Sequence, residues 1–135
     1  MLEYSLGLLK PDCLKRRLES RVFALIASAG LEIVVTKTVR LTKEQVAIIW
    51  PSCVSMGFYE DMVRFSTSGD SIVFIVQGEN AIQRLTALVG HYDPTQAVEG
   101  TIRRLFGTSA MENVIHSSSD KEAYQKEKSL FFRID

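Results

Sequence analysis

Apolar and polar positions change period several times along the chain, and each change marks an element. Glu3 to Lys10 reads as a strand that ends at Pro11, because the residue before a proline is biased toward extended geometry. From Leu14 the period lengthens. Leu14, Leu18, Val22, Leu25 and Ala29 fall on one helical stripe, with Lys15, Arg16 and Glu19 largely off it. Gly30 stands where a helix C-cap is expected. Leu31, Ile33, Val35, Val39 and Leu41 then alternate with Glu32, Thr36, Thr38 and Arg40, the pattern of a half-buried strand. Thr42 followed by Gln45 is a capping-box signature and predicts a short helix through about Ile49. Pro51 and Gly57 bracket a loop, and Phe58 to Phe65 predicts another short helix.

Gly69-Asp70 predicts a turn. Ile72 to Val76 is a continuous apolar run, which suits a central strand covered on both faces. Gly78 precedes a helix expected from Glu79 to about Val89. The segment from Gly90 to Gly100, with Asp93-Pro94 inside it, predicts a long loop, and loops of that length are often functional. Thr101 to Phe106 predicts a short helix and Asn113 to His116 a short extended segment. Ser119 followed by Glu122 is a second capping-box pattern, opening a final helix to about Phe131. The order is β, α, β, two short helices, β, α, long loop, β, α. Two βαβ halves in one small domain predict an α+β chain with the ferredoxin-like split βαβ arrangement. That means a four-stranded antiparallel sheet covered by helices.

Composition narrows the class. The chain has 135 residues, 46% hydrophobic and 24% charged, which predicts one globular domain over 1–135 with a proper core. Sixteen Lys+Arg balance sixteen Asp+Glu. A neutral chain has no global field to draw a nucleic-acid backbone or an acidic membrane, so any anion site must be local. The RNP1 pattern is also missing, which argues further against RNA. The longest apolar runs, VFALIA and IVFIV, are far short of the ~18 residues of a membrane span. MLEYSLGLLKPD has no basic region before its apolar stretch, so no signal peptide is expected. Cys13 and Cys53 suit free thiols of a cytoplasmic chain. His91 and His116 have no zinc-site spacing.

The candidate chemistry centres on His116, in Asn113-Val-Ile-His-Ser-Ser-Ser-Asp120. A lone histidine is ordinarily a satisfied structural residue. Here serines and an aspartate follow at once, offering donors at a helix N-terminus, where anions are favoured. Glu127 shares the stripe of Ala123, Tyr124, Leu130 and Phe131, and a carboxylate there is costly without a partner. A histidine ring N–H is one such partner; Lys128 or water is the plainer one. A histidine held by a carboxylate follows the logic of an activated nucleophile. Lys10-Pro11-Asp12 fixes a lysine at a strand end. In Gly100-Thr-Ile-Arg103-Arg104 the guanidinium fork suits phosphate oxygens, against the plainer reading of a solvated basic turn. Phe58-Tyr59, near Trp50, reads as core or as a ligand platform. There is no GxxxxGK[ST] loop and no protein-kinase signature set.

Taken together these residues resemble the nucleoside diphosphate kinase family, from Tyr4 to about Phe132. The landmarks are Lys10-Pro11-Asp12, Phe58, Gly90-x-x-Asp93-Pro94, Gly100-Thr101-Ile102-Arg103, Asn113-x-x-His116-x-Ser118 and Glu127-x-x-Leu130-Phe131-Phe132. The resemblance implies ping-pong transfer of the γ-phosphoryl group from a nucleoside triphosphate to a nucleoside diphosphate through a phosphohistidine at His116. It implies that Glu127, with Ser118 behind it, holds the imidazole so that Nδ1 faces the phosphate. Lys10 and Asn113 would meet the ribose hydroxyl and, for Lys10, the transferring phosphate. Arg103 would bind phosphate oxygens and Phe58 would stack on the base, which tolerates any base because each has a π-face. Mg²⁺ would ride on the nucleotide phosphates, with no protein metal site.

The chain also departs from the family. Thr86 stands where an arginine that touches the terminal phosphates is usual, and Tyr92 where a threonine near phosphate is usual. Trp50 replaces a tyrosine, Arg104-Leu105 replaces Gly-Asp, and Asp120 comes one residue late. Arg104 or His91 is a candidate for the missing charge; Arg84 points roughly the opposite way from Thr86. The chain stops soon after Phe132, as in the shorter bacterial-like form, and the resemblance implies a homo-oligomer, tetramer or hexamer. The alternative suggested by Thr86 and Tyr92 is a nucleotide-binding regulatory module of the same fold with weak or lost turnover.

Overall fold

In the computed structural model, which describes residues 2–132, the strands are Leu2–Leu9 (β1), Glu32–Val39 (β2), Ser71–Glu79 (β3) and Ile115–Ser117 (β4). They form one four-stranded sheet in the order β2-β3-β1-β4. Its pairings are all antiparallel. The helices are Pro11–Lys15 (α1), Glu19–Ser28 (α2), Lys43–Ile49 (α3), Tyr59–Ser66 (α4), Ala81–Val89 (α5), Ile102–Phe106 (α6) and Lys121–Phe131 (α7). This is the α+β, ferredoxin-like architecture expected from the element order.

The unbroken apolar run in β3 has a direct cause. Val73, Phe74, Ile75 and Val76 are all buried, because helices cover both faces of the sheet. Phe74 and Val76 join Leu9, Val22, Ile26, Leu85 and Ile102 in one core layer. Val73 joins Leu6, Leu8, Val46, Ile49, Tyr124 and Phe131 in the other. Gly7 pairs with Phe74 across the strands, and a Cβ there would collide with the Phe74 ring. β2 is an edge strand with a bulge between Ile33 and Val35. Only Ile33 and Val39 are half-buried, and Val34 and Val35 are exposed. The half-buried alternation expected for this strand is therefore only partly realised.

Three local expectations need correction. The single helix predicted from Leu14 is two helices. Pro11 opens α1, where its missing N–H costs nothing. Arg17 then turns left-handed at φ 57, and the Leu18 N–H donates to the Cys13 carbonyl before α2 begins. The helix predicted from Glu79 begins at Ala81, because Glu79 still pairs with Leu2 and Asn80 is left-handed at φ 50. The cap of the last helix is Asp120, not Ser119. The Asp120 carboxylate accepts from the Ala123 N–H at 2.7 Å. The Thr42–Gln45 capping box forms with both of its bonds.

Candidate active site

β1 delivers Lys10 to the mouth of the sheet, and Pro11 turns the chain away into α1. The Lys10 N–H donates to the Val114 carbonyl at 2.8 Å, and Asp12 Oδ2 accepts from the Val114 N–H at 3.1 Å. Val114 needs that grip, since it is β-branched and held at φ 68, a costly conformation that persists only where neighbours impose it. The turn it makes opens β4. In β4, His116 pairs with Leu8, and directly opposed residues share a sheet face. Leu8 belongs to the core layer under α3 and α7. Strand parity thus sends His116 toward those two helices and Ile115 into the other layer.

α7 meets it there. Tyr124, Glu127 and Phe131 form its buried stripe, so Glu127 is 2% exposed. Glu127 Oε1 lies 2.8 Å from His116 Nε2 and accepts from Ser118 Oγ at 2.9 Å. An ionised carboxylate only accepts, which puts the ring proton on Nε2. Nδ1 has no hydrogen-bond partner among the described residues. Trp50, at the end of α3, lies edge-to-face on the imidazole, with ring centroids 5.1 Å apart.

A second cluster collects positive charge. Lys10 is buried, and its Nζ donates to Asn113 Oδ1 at 2.8 Å and to the Met111 carbonyl at 3.4 Å. The ammonium also sits 5.3 Å above the Trp50 ring. Burial first, and then nearby Arg103, lower the Lys10 pKa to about 7, with Asp12 and Cys53 opposing. Asn113 spends its amide protons on the Tyr92 and Ala110 carbonyls. Arg103 of α6 donates to the Gly90 carbonyl at 3.0 Å and the Ile115 carbonyl at 2.6 Å, while its buried Nε has no partner. Burial pushes its pKa down to about 10. Lys10 and Arg103 thus have carbonyl and amide oxygens as their hydrogen-bond partners, not carboxylates. Two desolvated cations in such surroundings favour an anion with several oxygens.

The remaining expected site residues lie on the rim. Phe58 is 46% exposed at the start of α4, and Tyr92 is 62% exposed and stacked on His91 at 4.4 Å. Thr86 is exposed on α5, and its hydroxyl donates to the Ser118 carbonyl at 3.5 Å. Thr86 also lines a groove of about 500 Å³ between α5 and the start of α7, whose wall does not include His116. Of the groups considered for the missing charge, Arg104 is exposed and donates to the Thr95 carbonyl. His91 Nδ1 accepts from the Asp93 N–H. Arg84 reaches the Ala29 and Glu79 carbonyls. Sequence reasoning gave no role to Asp12 or Trp50. The signal for Asp12 was an acid fixed behind a proline. The signal for Trp50 was its departure from the tyrosine of the resembled family, while its partners lie far away in the chain.

The family model for nucleoside diphosphate kinase matches residues 3–135. The nucleoside diphosphate kinase of Chlorobaculum tepidum is 40% identical over 131 residues, covering 97% of this chain and 94% of that protein. The crystal structure of the Encephalitozoon cuniculi nucleoside diphosphate kinase superposes with a TM-score of 0.94 at 32% identity, over 98% of this chain and 90% of that one. The Halobacterium salinarum enzyme, solved in complex with CDP, gives 0.93 at 29% identity, over 100% and 90%.

Proposed function

The chain belongs to the nucleoside diphosphate kinase family and carries its phosphotransferase activity, and we propose that it works by ping-pong through a phosphohistidine at His116. The observation that carries this reading is the imidazole tied at Nε2 to Glu127, with Nδ1 unbonded and the ring against the same indole as Lys10. In the first half-reaction Nδ1 attacks the γ-phosphorus of a nucleoside triphosphate. The bond to the β–γ bridging oxygen breaks, and the nucleoside diphosphate leaves. In the second, a β-phosphate oxygen of another nucleoside diphosphate attacks the phosphohistidine and the N–P bond breaks. The Nε2 proton stays between His116 and Glu127 throughout, and the carboxylate balances the positive charge that the ring acquires. Ser118 fixes the carboxylate.

In such a reaction the protein mainly positions groups and neutralises charge. Lys10 and Arg103 do so for the phosphates, and Asn113 aims Lys10 and meets the ribose. Phe58 offers a face to the base, and Thr86 and Tyr92 stand at the phosphate end. The CDP found in the Halobacterium salinarum enzyme supports nucleoside di- and triphosphates as substrates. Mg²⁺ would be carried on the nucleotide phosphates. Glu127 is engaged by His116 and Ser118, Asp12 by the Val114 N–H, and no trio of His, Cys, Asp or Glu among the described residues is arranged to hold an ion. When bound on the phosphates the ion supplies charge neutralisation there.

We also propose one domain over 1–135, supported by the reach of the family match. A homo-oligomer, tetramer or hexamer, is supported by the open edge of β2 with Val34 and Val35 exposed. A cytoplasmic location is supported by the free thiols Cys13 and Cys53. No described helix is long and apolar enough to cross a membrane. The matched relatives favour turnover over a regulatory module without it. Incubation with γ-labelled ATP decides the mechanism. The wild type should form an acid-labile, base-stable phosphoenzyme and His116→Ala none. The same label on the alanine variant would remove His116 as the carrier.

A further inference from the structure

One hydrogen bond does not fix an imidazole. The Glu127 contact holds Nε2 in place, yet the ring can still swing about that bond and carry Nδ1 out of line. The Lys10 ammonium has a similar freedom, since its partners are one amide oxygen and one long carbonyl contact. A single side chain touches both. Trp50 lies edge-to-face on His116, at 5.1 Å and 71°, and presents its ring to Lys10 Nζ at 5.3 Å.

Its own position is well determined. The Trp50 N–H donates to the Val46 carbonyl at 2.9 Å as the last bond of α3, and its carbonyl accepts from the Cys53 N–H at 3.1 Å in the turn opened by Pro51. The ring is half-buried and packs on the core layer that holds Leu8, Val46 and Tyr124. Edge-to-face ring pairs and cations over an indole face are both attractive and directional. An indole in this place therefore restricts the two motions that the hydrogen bonds leave open.

We propose that Trp50 is a positioning residue, which fixes the plane of the His116 imidazole and keeps the Lys10 ammonium beside it. The inference rests on the reading of His116 as the phosphoryl carrier. It differs from packing alone in a specific way: the ring should matter for the transfer step more than for nucleotide binding. Trp50→Met keeps bulk and removes the aromatic face, whereas Trp50→Phe keeps a smaller one.

Single-turnover labelling by γ-labelled ATP gives the transfer rate, and equilibrium dialysis gives ATP affinity. Trp50→Met should slow phosphorylation about tenfold, the combined size of one ring pair and one cation–π contact. ATP affinity should stay within about threefold. Trp50→Phe should recover most of the rate. Proton NMR of the nucleotide-free protein supplies an independent reading. With His116→Gln identifying the His116 ring signals, those signals should move in Trp50→Met, as they leave the field of the indole ring, and move less in Trp50→Phe.

A wild-type rate in Trp50→Met, an equal loss of rate and affinity in both variants, or unmoved His116 signals would each overturn the proposal. If Trp50→Met fails to fold, Trp50→Phe still decides. Because Phe is the weaker cation platform, it should cost about two- to threefold in rate with its NMR signals displaced. If the wild type itself takes no label, the phosphohistidine reading fails, and the NMR displacement alone decides whether Trp50 holds the ring.

Discussion

The buried floor of the site and its exposed rim obey different rules. On the floor, Lys10, Asn113, Ser118 and Glu127 are all nearly inaccessible. Each has hydrogen-bond partners inside the chain. On the rim, Phe58 and Tyr92 are exposed, as are Thr86 and Arg104. The departures from the family pattern follow this division. Thr86, Tyr92, Arg104, Leu105 and Asp120 are all exposed, while the buried members keep the expected residue. A buried polar group that loses its partner bears its full desolvation cost, so one change on the floor unsettles several residues. On the rim, water replaces whatever is lost. Trp50 is the intermediate case, half-buried and changed in identity, yet still in contact with the floor.

The largest test of this division is Glu127→Ala. It strands the His116 N–H and the Ser118 hydroxyl and frees the ring, so kcat should fall by about 10²-fold or more, with nucleotide KM changed far less. Thermal unfolding of the variant should show lost stability as well. A kcat near wild type would show that the floor does not orient the nucleophile. On the rim, Phe58→Ala should weaken purine and pyrimidine nucleotides alike by about 1–3 kcal/mol, read by calorimetry, with no loss of stability. A loss confined to one base class would mean that edges are read elsewhere.

The charge of Lys10 couples floor to substrate through pH. With its pKa lowered to about 7, the free protein loses the ammonium as pH rises past neutral, whereas bound phosphates favour the charged form. Nucleotide binding should therefore take up a proton and weaken from about pH 7 to pH 9, by at most tenfold per unit. Calorimetry in buffers of different ionisation enthalpy measures that uptake. Stability runs the other way. Between about pH 7 and the ordinary lysine value near 10.5, the unfolded chain holds a proton that the folded chain lacks, so the Lys10 contribution to stability rises with pH. An affinity that stays flat across this range would place the Lys10 pKa elsewhere.

The smallest effects belong to the rim charges. Thr86→Arg should raise kcat/KM by about tenfold, the size of one charge-assisted contact. Arg104→Ala should change it by less than about 0.5 kcal/mol, because its guanidinium is exposed and bound to the Thr95 carbonyl. The double variant should be additive within about 0.5 kcal/mol. Strong coupling would instead make Arg104 the substitute for the missing arginine.

Much of this was legible in the sequence. Glu127 stood out as a carboxylate on an apolar stripe, and the histidine proved to be one of its partners, with Ser118 the other. The β3 run predicted a doubly covered strand. What stayed hidden were features that no local pattern encodes. The break after α1 depends on Arg17 adopting a conformation usually left to glycine. Asp120 displaced Ser119 as a cap because two adjacent side chains could each serve and the carboxylate reached the Ala123 N–H. The Trp50 contact joins residues from opposite halves of the chain, and periodicity carries no information about such pairs.

The bond between Asp12 and Val114 spans 102 residues, and Lys10 reaches 103 residues to Asn113. On a ribosome, Lys10 and Asp12 emerge early and must wait, unpaired, until nearly all of the described chain has been made. Contacts of such range close late, since loop entropy opposes them until the intervening elements are folded. A nascent chain therefore has no half-built version of this cluster to expose. The cluster is completed only when β4 pairs with β1.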